Sequence, residues 1–291
     1  MKKIAPSELI LNPDGSIYHL HLLPEQLADT VLVVGDPGRV PEVSKLFDRV
    51  DHKVSNREMV THTGWVGKKH ITVLSSGMGT DNMDIVLNEL DALVNIDLKE
   101  RTVKTEHKQL SIIRIGTSGG LNPEIPSDSM IASTHGIGLD GLLYFYARHA
   151  EVIEKDLTDA FIKHTNWPAF LPRPYAVPAD PTLLGHIGKD TFNAITVTSP
   201  GFYAPQGREL RLAPTMTNIS DVLSSFSFQN MPMGNFEMET SALYGLGGLL
   251  GHRTLTVCTV VANRYRKEFS SNYKLSIERL IKHVLDRACM L

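Results

Sequence analysis

Two cysteines in 291 residues are too few for a disulfide framework, and Cys258 and Cys289 do not have the spacing of a metal-binding pair. Such a chain suits a reducing compartment, and a cytoplasmic location is expected. No apolar run is long enough to span a bilayer. No long apolar core follows Lys2 and Lys3, so no signal peptide is read. No basic run carries interleaved aromatics and the formal net charge is −3, which argues against nucleic-acid or membrane-surface binding. Internal repeats, low-complexity segments and shifts of composition that would mark a domain boundary are also missing. What remains is ordinary for a globular chain, 42% hydrophobic and 21% charged. We read residues 1–291 as a single domain.

The informative stretches are strands that end in glycine. Val31-Leu32-Val33-Val34 has the pattern of a short buried strand, and Gly35 breaks it. Asp36 suits a helix N-cap and Pro37 a first helical position, with Val40, Val43, Leu46 and Phe47 following at helical spacing. Free N–H groups at such a helix start, together with Arg39, suit an anion. An ordinary strand-to-helix turn fits the same residues. The pattern returns at Ile71–Leu74, where Gly77-Met78-Gly79 leads into a helix with Met83, Val86, Leu87, Leu90, Leu93 and Val94 on one face. Ser111–Ile115 then ends in Gly116-Thr117-Ser118-Gly119-Gly120. Arg114 interrupts that apolar run and needs a partner, either a core carboxylate or a bound anion.

Further strands are expected at Met130–Ala132, Ala194–Thr198 and Leu255–Ala262, a hairpin-like region around Gly64 and Gly67, and a C-terminal helix through Leu275–Leu285. Residues 97–109 read as an exposed connection and 165–180, rich in proline and aromatics, as a long surface loop. His19 and His21 would share one face of an extended segment, with no third metal ligand nearby, so no metal site is assigned. The alternation of strands and helices predicts an α/β fold: three layers, αβα, around a mostly parallel or mixed twisted sheet. Ligands of such folds sit beyond the carboxyl ends of the strands, and three glycine turns there suggest a small-molecule site with an anionic part.

Gly234-Asn235-Phe236-Glu237-Met238-Glu239 precedes an apolar helix-like run. In extended backbone Glu237 and Glu239 point to the same side, where two carboxylates could accept the vicinal hydroxyls of a sugar. A pair of acids at a helix start fits equally well.

In combination, Gly35-Asp36-Pro37-x-Arg39-Val40, Arg114-Ile115-Gly116-Thr117-x-Gly119 and Asn235-x-Glu237-Met238-Glu239 resemble the uridine phosphorylase branch of the nucleoside phosphorylase family. The resemblance covers His19 to Glu268. It implies that Gly35, Arg39, Arg114 and Thr117 bind inorganic phosphate. Arg57 would be lent to the phosphate by a neighbouring subunit, and His19 to the ribose 5′-hydroxyl across the same interface. Glu237, Met238 and Glu239 would cradle the ribose. Phe202-Tyr203-Ala204-Pro205-Gln206-Gly207-Arg208 is similar to the uracil-reading loop, with Phe202 stacking and Gln206 and Arg208 on the O2, N3 and O4 edge. The purine branch carries an aspartate after the last long strand, where this chain reads Val261-Ala262-Asn263-Arg264.

The resemblance therefore implies reversible phosphorolysis of a pyrimidine nucleoside, uridine before thymidine. Arg208, Gln206 and Arg114 would carry catalysis, phosphate would be co-substrate, and no cofactor or metal would be needed. The partners implied are a nucleoside, phosphate and further copies of the chain, at least a dimer. Three features depart from the pattern: a longer 97–109 segment, Ser199-Pro200-Gly201 before the base loop, and Asn82 where an interface potassium site would have serine beside Glu58. No ion is assigned on that ground. A purine nucleoside phosphorylase, a phosphate-independent nucleosidase of the same fold and a nucleoside-binding protein without turnover are the alternatives.

Overall fold

The computed structural model describes residues 2–291. In chain order the elements are β1 (Thr30–Val34), α1 (Arg39–Ser44), β2 (Arg49–Asn56), β3 (Met59–Val66), β4 (Lys69–Ser75), α2 (Thr80–Asn95), β5 (Ile96–Asp97), β6 (Thr102–Val103) and β7 (Ser111–Gly120). There follow β8 (Met130–Gly138), α3 (Lys155–Thr165), β9 (Tyr175–Pro178), α4 (Pro181–Ile187), β10 (Phe192–Thr198), α5 (Ile219–Ser224) and β11 (Ser227–Phe228). The chain ends with β12 (Met231–Glu237), α6 (Thr240–Leu250), β13 (Arg253–Asn263), β14 (Glu268–Phe269) and α7 (Tyr273–Ala288).

The main sheet runs β11-β12-β10-β8-β13-β7-β1-β4-β3-β2. It is mixed: β1 pairs parallel with β4 and β7, and β13 parallel with β7, while β2, β3 and β4 form an antiparallel meander. The central strands are apolar because both of their faces are covered. Every residue of β1 is buried, and Ile112, Ile113 and Ile115 of β7 lie in the same core as Val86, Leu87 and Leu90 of α2 and Ile277, Leu280 and Val284 of α7. No helix among the described residues is long and apolar enough to cross a membrane.

One pairing decides where the site forms. Asn235 and Phe236 of β12 pair antiparallel with Gly120 and Gly119 at the end of β7. The sheet thereby closes a ring through β7, β13, β8, β10 and β12. A Cβ on Gly119 would lie 2.6 Å from the Phe236 ring, so glycine is what permits the closure. It carries Glu237–Glu239, at the end of β12, to the end of β7 where Arg114 sits.

Five expectations change. The turn expected at Gly116–Gly120 is strand: β7 continues to Gly120, its glycines paired with β13 and β12. The first helix begins at Arg39 and not at Pro37, because Asp36 Oδ1 accepts from the Gly38 N–H at 2.9 Å and holds residues 36–38 in a turn. It ends before Leu46, which is exposed, whereas Val40 and Val43 are buried. The 165–180 stretch contains β9, whose Tyr175, Ala176 and Val177 are buried on β8. Prolines at its margins disguise it, and proline is tolerated at strand ends. The 97–109 segment contributes one strand of the short β5–β6 ribbon. His19 and His21 lie in a turn and not on one extended face: His21 has φ 55° and pairs with Asp14, while His19 pairs with Glu89.

Candidate active site

Beyond the carboxyl ends of β1, β4, β7 and β12 lies a cavity of about 580 Å³. Gly35, Arg39, Arg114, Thr117, Phe202, Gln206, Arg208, Glu237, Met238 and Glu239 all line it, with Glu58, Met78, Val261 and Phe269 at its margins. Strand ends from four separate parts of the chain and the 202–208 loop face one space.

Arg114 is buried in the floor. Its Nη1 donates to Cys258 Sγ at 3.3 Å and lies 3.1 Å from Glu237 Oε2, while Nη2 donates to Glu239. Burial opposes its charge, but Glu239 and then Glu237 more than restore it, and the guanidinium is held charged. Arg39 reaches over from α1, with Nη1 3.5 Å from the Ile115 carbonyl. Burial lowers its pKa, with Asp36 offsetting the effect and Arg114 adding to it. Guanidinium groups from Arg39 and Arg114 thus face one space, and such N–H donors suit an oxyanion.

The two glutamates divide. Glu237 accepts from Thr198 Oγ1 at 2.8 Å and from the Glu239 and Thr240 N–H groups at 2.9 and 3.0 Å, besides pairing with Arg114. It caps the start of α6 and has its acceptor positions occupied by the protein. Glu239 accepts from the Gly79 N–H at 2.8 Å and from Arg114. Burial raises its pKa, Arg114 lowers it and Glu237 raises it further, leaving it above the ordinary carboxylate value. The helix-start reading of this acidic pair fits Glu237, while Glu239 lines the cavity with fewer protein donors.

The other end of the cavity is built by the loop after β10. Gln206 is buried, and Arg208 Nη1 donates to its Oε1 and to the Phe202 carbonyl. The Arg208 guanidinium lies 3.7 Å from the centroid of the Phe202 ring. Burial lowers its pKa to about 10, and the charge of Arg264 adds to the shift. The sequence alone gave Arg264 no role. Its guanidinium sits 5.4 Å from the centroid of Phe236, to which Arg208 is also close at 5.7 Å, and it donates to Ser220. Its place one residue beyond the end of β13 was the available signal. Asn263, in the stretch compared with the purine branch's aspartate, donates to the Asn122 and Ile125 carbonyls and accepts from the Tyr265 N–H. Its amide is committed to holding two turns together.

His19 and Arg57 do not line this cavity. They sit together at another corner. Asn56 donates to the His19 carbonyl at 2.9 Å, His19 Nδ1 lies 2.6 Å from Glu89, and Arg57, in the turn between β2 and β3, lies over the Tyr18 ring.

A family model described as the phosphorylase superfamily matches residues 29–287. A uridine phosphorylase of Thermococcus kodakarensis is 29% identical over 280 residues, covering 92% of this chain and 85% of the relative. One from Haemophilus influenzae is 26% identical, covering 94% and 98%. Among solved structures, a Trypanosoma brucei nucleoside phosphorylase described as showing uridine phosphorylase activity superposes with a TM-score of 0.87 at 28% identity, over 97% of this chain and 100% of that one.

Proposed function

The chain belongs to the phosphorylase superfamily, and on that premise we propose that it catalyses the reversible phosphorolysis of uridine to uracil and ribose 1-phosphate. The observation that carries this reading is the gathering of Arg39, Arg114, Glu239, Gln206 and Arg208 around one cavity. An anion, a sugar and a base edge each find a complementary group there, in that order from the strand ends to the loop.

Inorganic phosphate binds beside Arg39 and Arg114, near Gly35 and Thr117. Glu239 accepts hydrogen bonds from the ribose hydroxyls over Met238. Glu237 serves the sugar indirectly, by fixing Arg114 and the start of α6. Gln206 and Arg208 meet the polar edge of uracil, and Phe202 stacks beside it. As the glycosidic bond lengthens, its electron pair moves onto the uracil and the sugar carbon becomes cationic. The phosphate dianion stabilises that carbon and then bonds to it from the opposite face. Arg208 and Gln206 stabilise the charge growing on the leaving base, an interaction made mainly in the transition state. Uracil leaves as an anion and takes its proton from solvent. Phosphate is the nucleophile, so this route calls for no protein nucleophile or metal.

His19 and Arg57 serve a neighbouring subunit, which makes the working unit at least a dimer. They cluster together, and neither lines the cavity of its own chain, which supports this. The working compartment is the cytoplasm, consistent with two free cysteines.

A panel of uridine, thymidine and inosine, each with and without phosphate and followed by absorbance, tests the reading. Uridine is cleaved fastest and only with phosphate. Faster turnover of inosine would make the chain a purine phosphorylase, cleavage without phosphate a nucleosidase, and binding without cleavage a nucleoside-binding protein.

A further inference from the structure

Cys258 is the one polar side chain in contact with Arg114 that the mechanism above does not use. It lies on β13 directly beside Gly116 of β7, and its side chain is fully buried. Its sulfur accepts from Arg114 Nη1 at 3.3 Å, and the same nitrogen lies 3.1 Å from Glu237. Gly116 makes the contact possible: a Cβ there would fall against Arg114 Nη1 and 2.7 Å from Cys258 Sγ. The two strands leave a slot that the guanidinium end and one thiol fill together.

A guanidinium has five N–H donors in a rigid plane. Here Nη1 is held by Cys258 and Glu237 and Nη2 by Glu239, while Nε has no protein partner. A planar group pinned at Nη1 from two sides cannot swing about its own long axis, so its uncommitted donors keep one direction. Burial pushes the Cys258 thiol up to about 12, so the sulfur stays uncharged and adds no carboxylate-like competitor for the cation.

We propose that Cys258 is a positioning residue for anion binding: its sulfur, with Glu237, fixes the plane of Arg114 so that the remaining Nη2 N–H meets phosphate. This rests on the phosphate site of the proposed function, and on no other part of it.

The test is phosphate affinity by titration calorimetry for the wild-type protein and for Cys258→Ala, Cys258→Ser and Cys258→Val, each checked for an intact thermal transition. Alanine removes the acceptor, serine keeps one, and valine fills the slot without one. Phosphate binding should weaken by about fivefold in the alanine and valine variants and stay within about twofold of wild type in the serine variant, a rescue that a merely space-filling role does not produce. In steady state, KM for phosphate should rise in Cys258→Ala while KM for uridine holds. Affinity unchanged in Cys258→Ala, a valine variant that binds as wild type, a serine variant as weak as alanine, or a wild-type protein that binds no phosphate would each overturn the proposal. A wild-type protein that binds phosphate with this pattern but leaves uridine intact would uphold it and defeat the proposed reaction instead.

Discussion

Around Arg114 every polar contact comes from regular structure: β12 supplies Glu237, the start of α6 supplies Glu239, and β13 supplies Cys258. Around Arg208 the contacts come from within a single loop, through the Phe202 carbonyl and the Gln206 amide, with Gln206 and Arg208 N–H groups returning to the Tyr203 carbonyl at 3.0 and 2.9 Å. Phe202, Tyr203, Leu210 and Leu212 of that loop region are exposed, whereas Glu237 and Glu239 are buried. The end of the cavity around Arg114 is therefore built into the core of the fold. The end around Arg208 is built by one loop outside it. Substitutions at the first end should change stability and activity together, and at the second activity alone.

The sharpest way to break this contrast is Arg114→Ala. It leaves Glu237 and Glu239 buried without their cation, which costs about 3–5 kcal/mol of stability. On the proposed reaction it also removes a phosphate ligand, so kcat/KM should fall by about a thousandfold. Chemical denaturation and kinetics on the same preparation check both. Activity lost at unchanged stability would show that the two glutamates do not depend on this arginine.

Arg208→Ala is the counterpart at the base end. Activity on uridine should fall about a hundredfold, mostly in kcat, while stability stays within about 0.5 kcal/mol of wild type. Equal kcat in the two proteins would remove Arg208 from the transition state.

The smallest effect sits behind α6. Asp140 accepts from Tyr175 Oη at 2.9 Å, Ser241 Oγ at 3.1 Å and the Leu142 N–H at 2.8 Å. Burial raises its pKa, and these hydrogen bonds offset the shift only in part. A carboxyl with a raised folded pKa binds more protons folded than unfolded, so its contribution to stability is present below the unfolded pKa, about 3.9, and is lost as pH rises through the folded value. Asp140→Asn removes that dependence. Its unfolding free energy should therefore gain on wild type as pH rises above about 4, as denaturant titrations at several pH values would show. A difference that does not change with pH would place the carboxyl at an ordinary pKa.

The same contrast explains what could be read from the sequence. The strand ends at Val34 and Ser75 were legible because strands with both faces buried leave continuous apolar runs, and glycine follows where they stop. At Ile115 the same signal misled, because the glycines of β7 pair with β13 and β12 and the strand runs on to Gly120. β2 was not, since an edge strand such as Arg49–Asn56 alternates exposed and half-buried residues and carries charge. Arg114 was legible as a charge in an apolar strand, but its partners were not, because Cys258 and Glu239 reach it only through the pairing of β7 with β13 and the closure of β12 onto β7. Spacing alone put Glu237 and Glu239 on one side. Their separate tasks emerge only when Thr198 from β10 and Gly79 from the turn before α2 claim one each.

The oxygen that ends up on the sugar carbon distinguishes attack by phosphate from attack by water most directly. Uridine turned over with unlabelled phosphate in ¹⁸O-enriched water, with the sugar product examined by mass spectrometry, reads that out. The arrangement of Arg39, Arg114 and Glu239 predicts ribose 1-phosphate with no ¹⁸O at the carbon that carried the base. Free ribose carrying ¹⁸O at that carbon would contradict it.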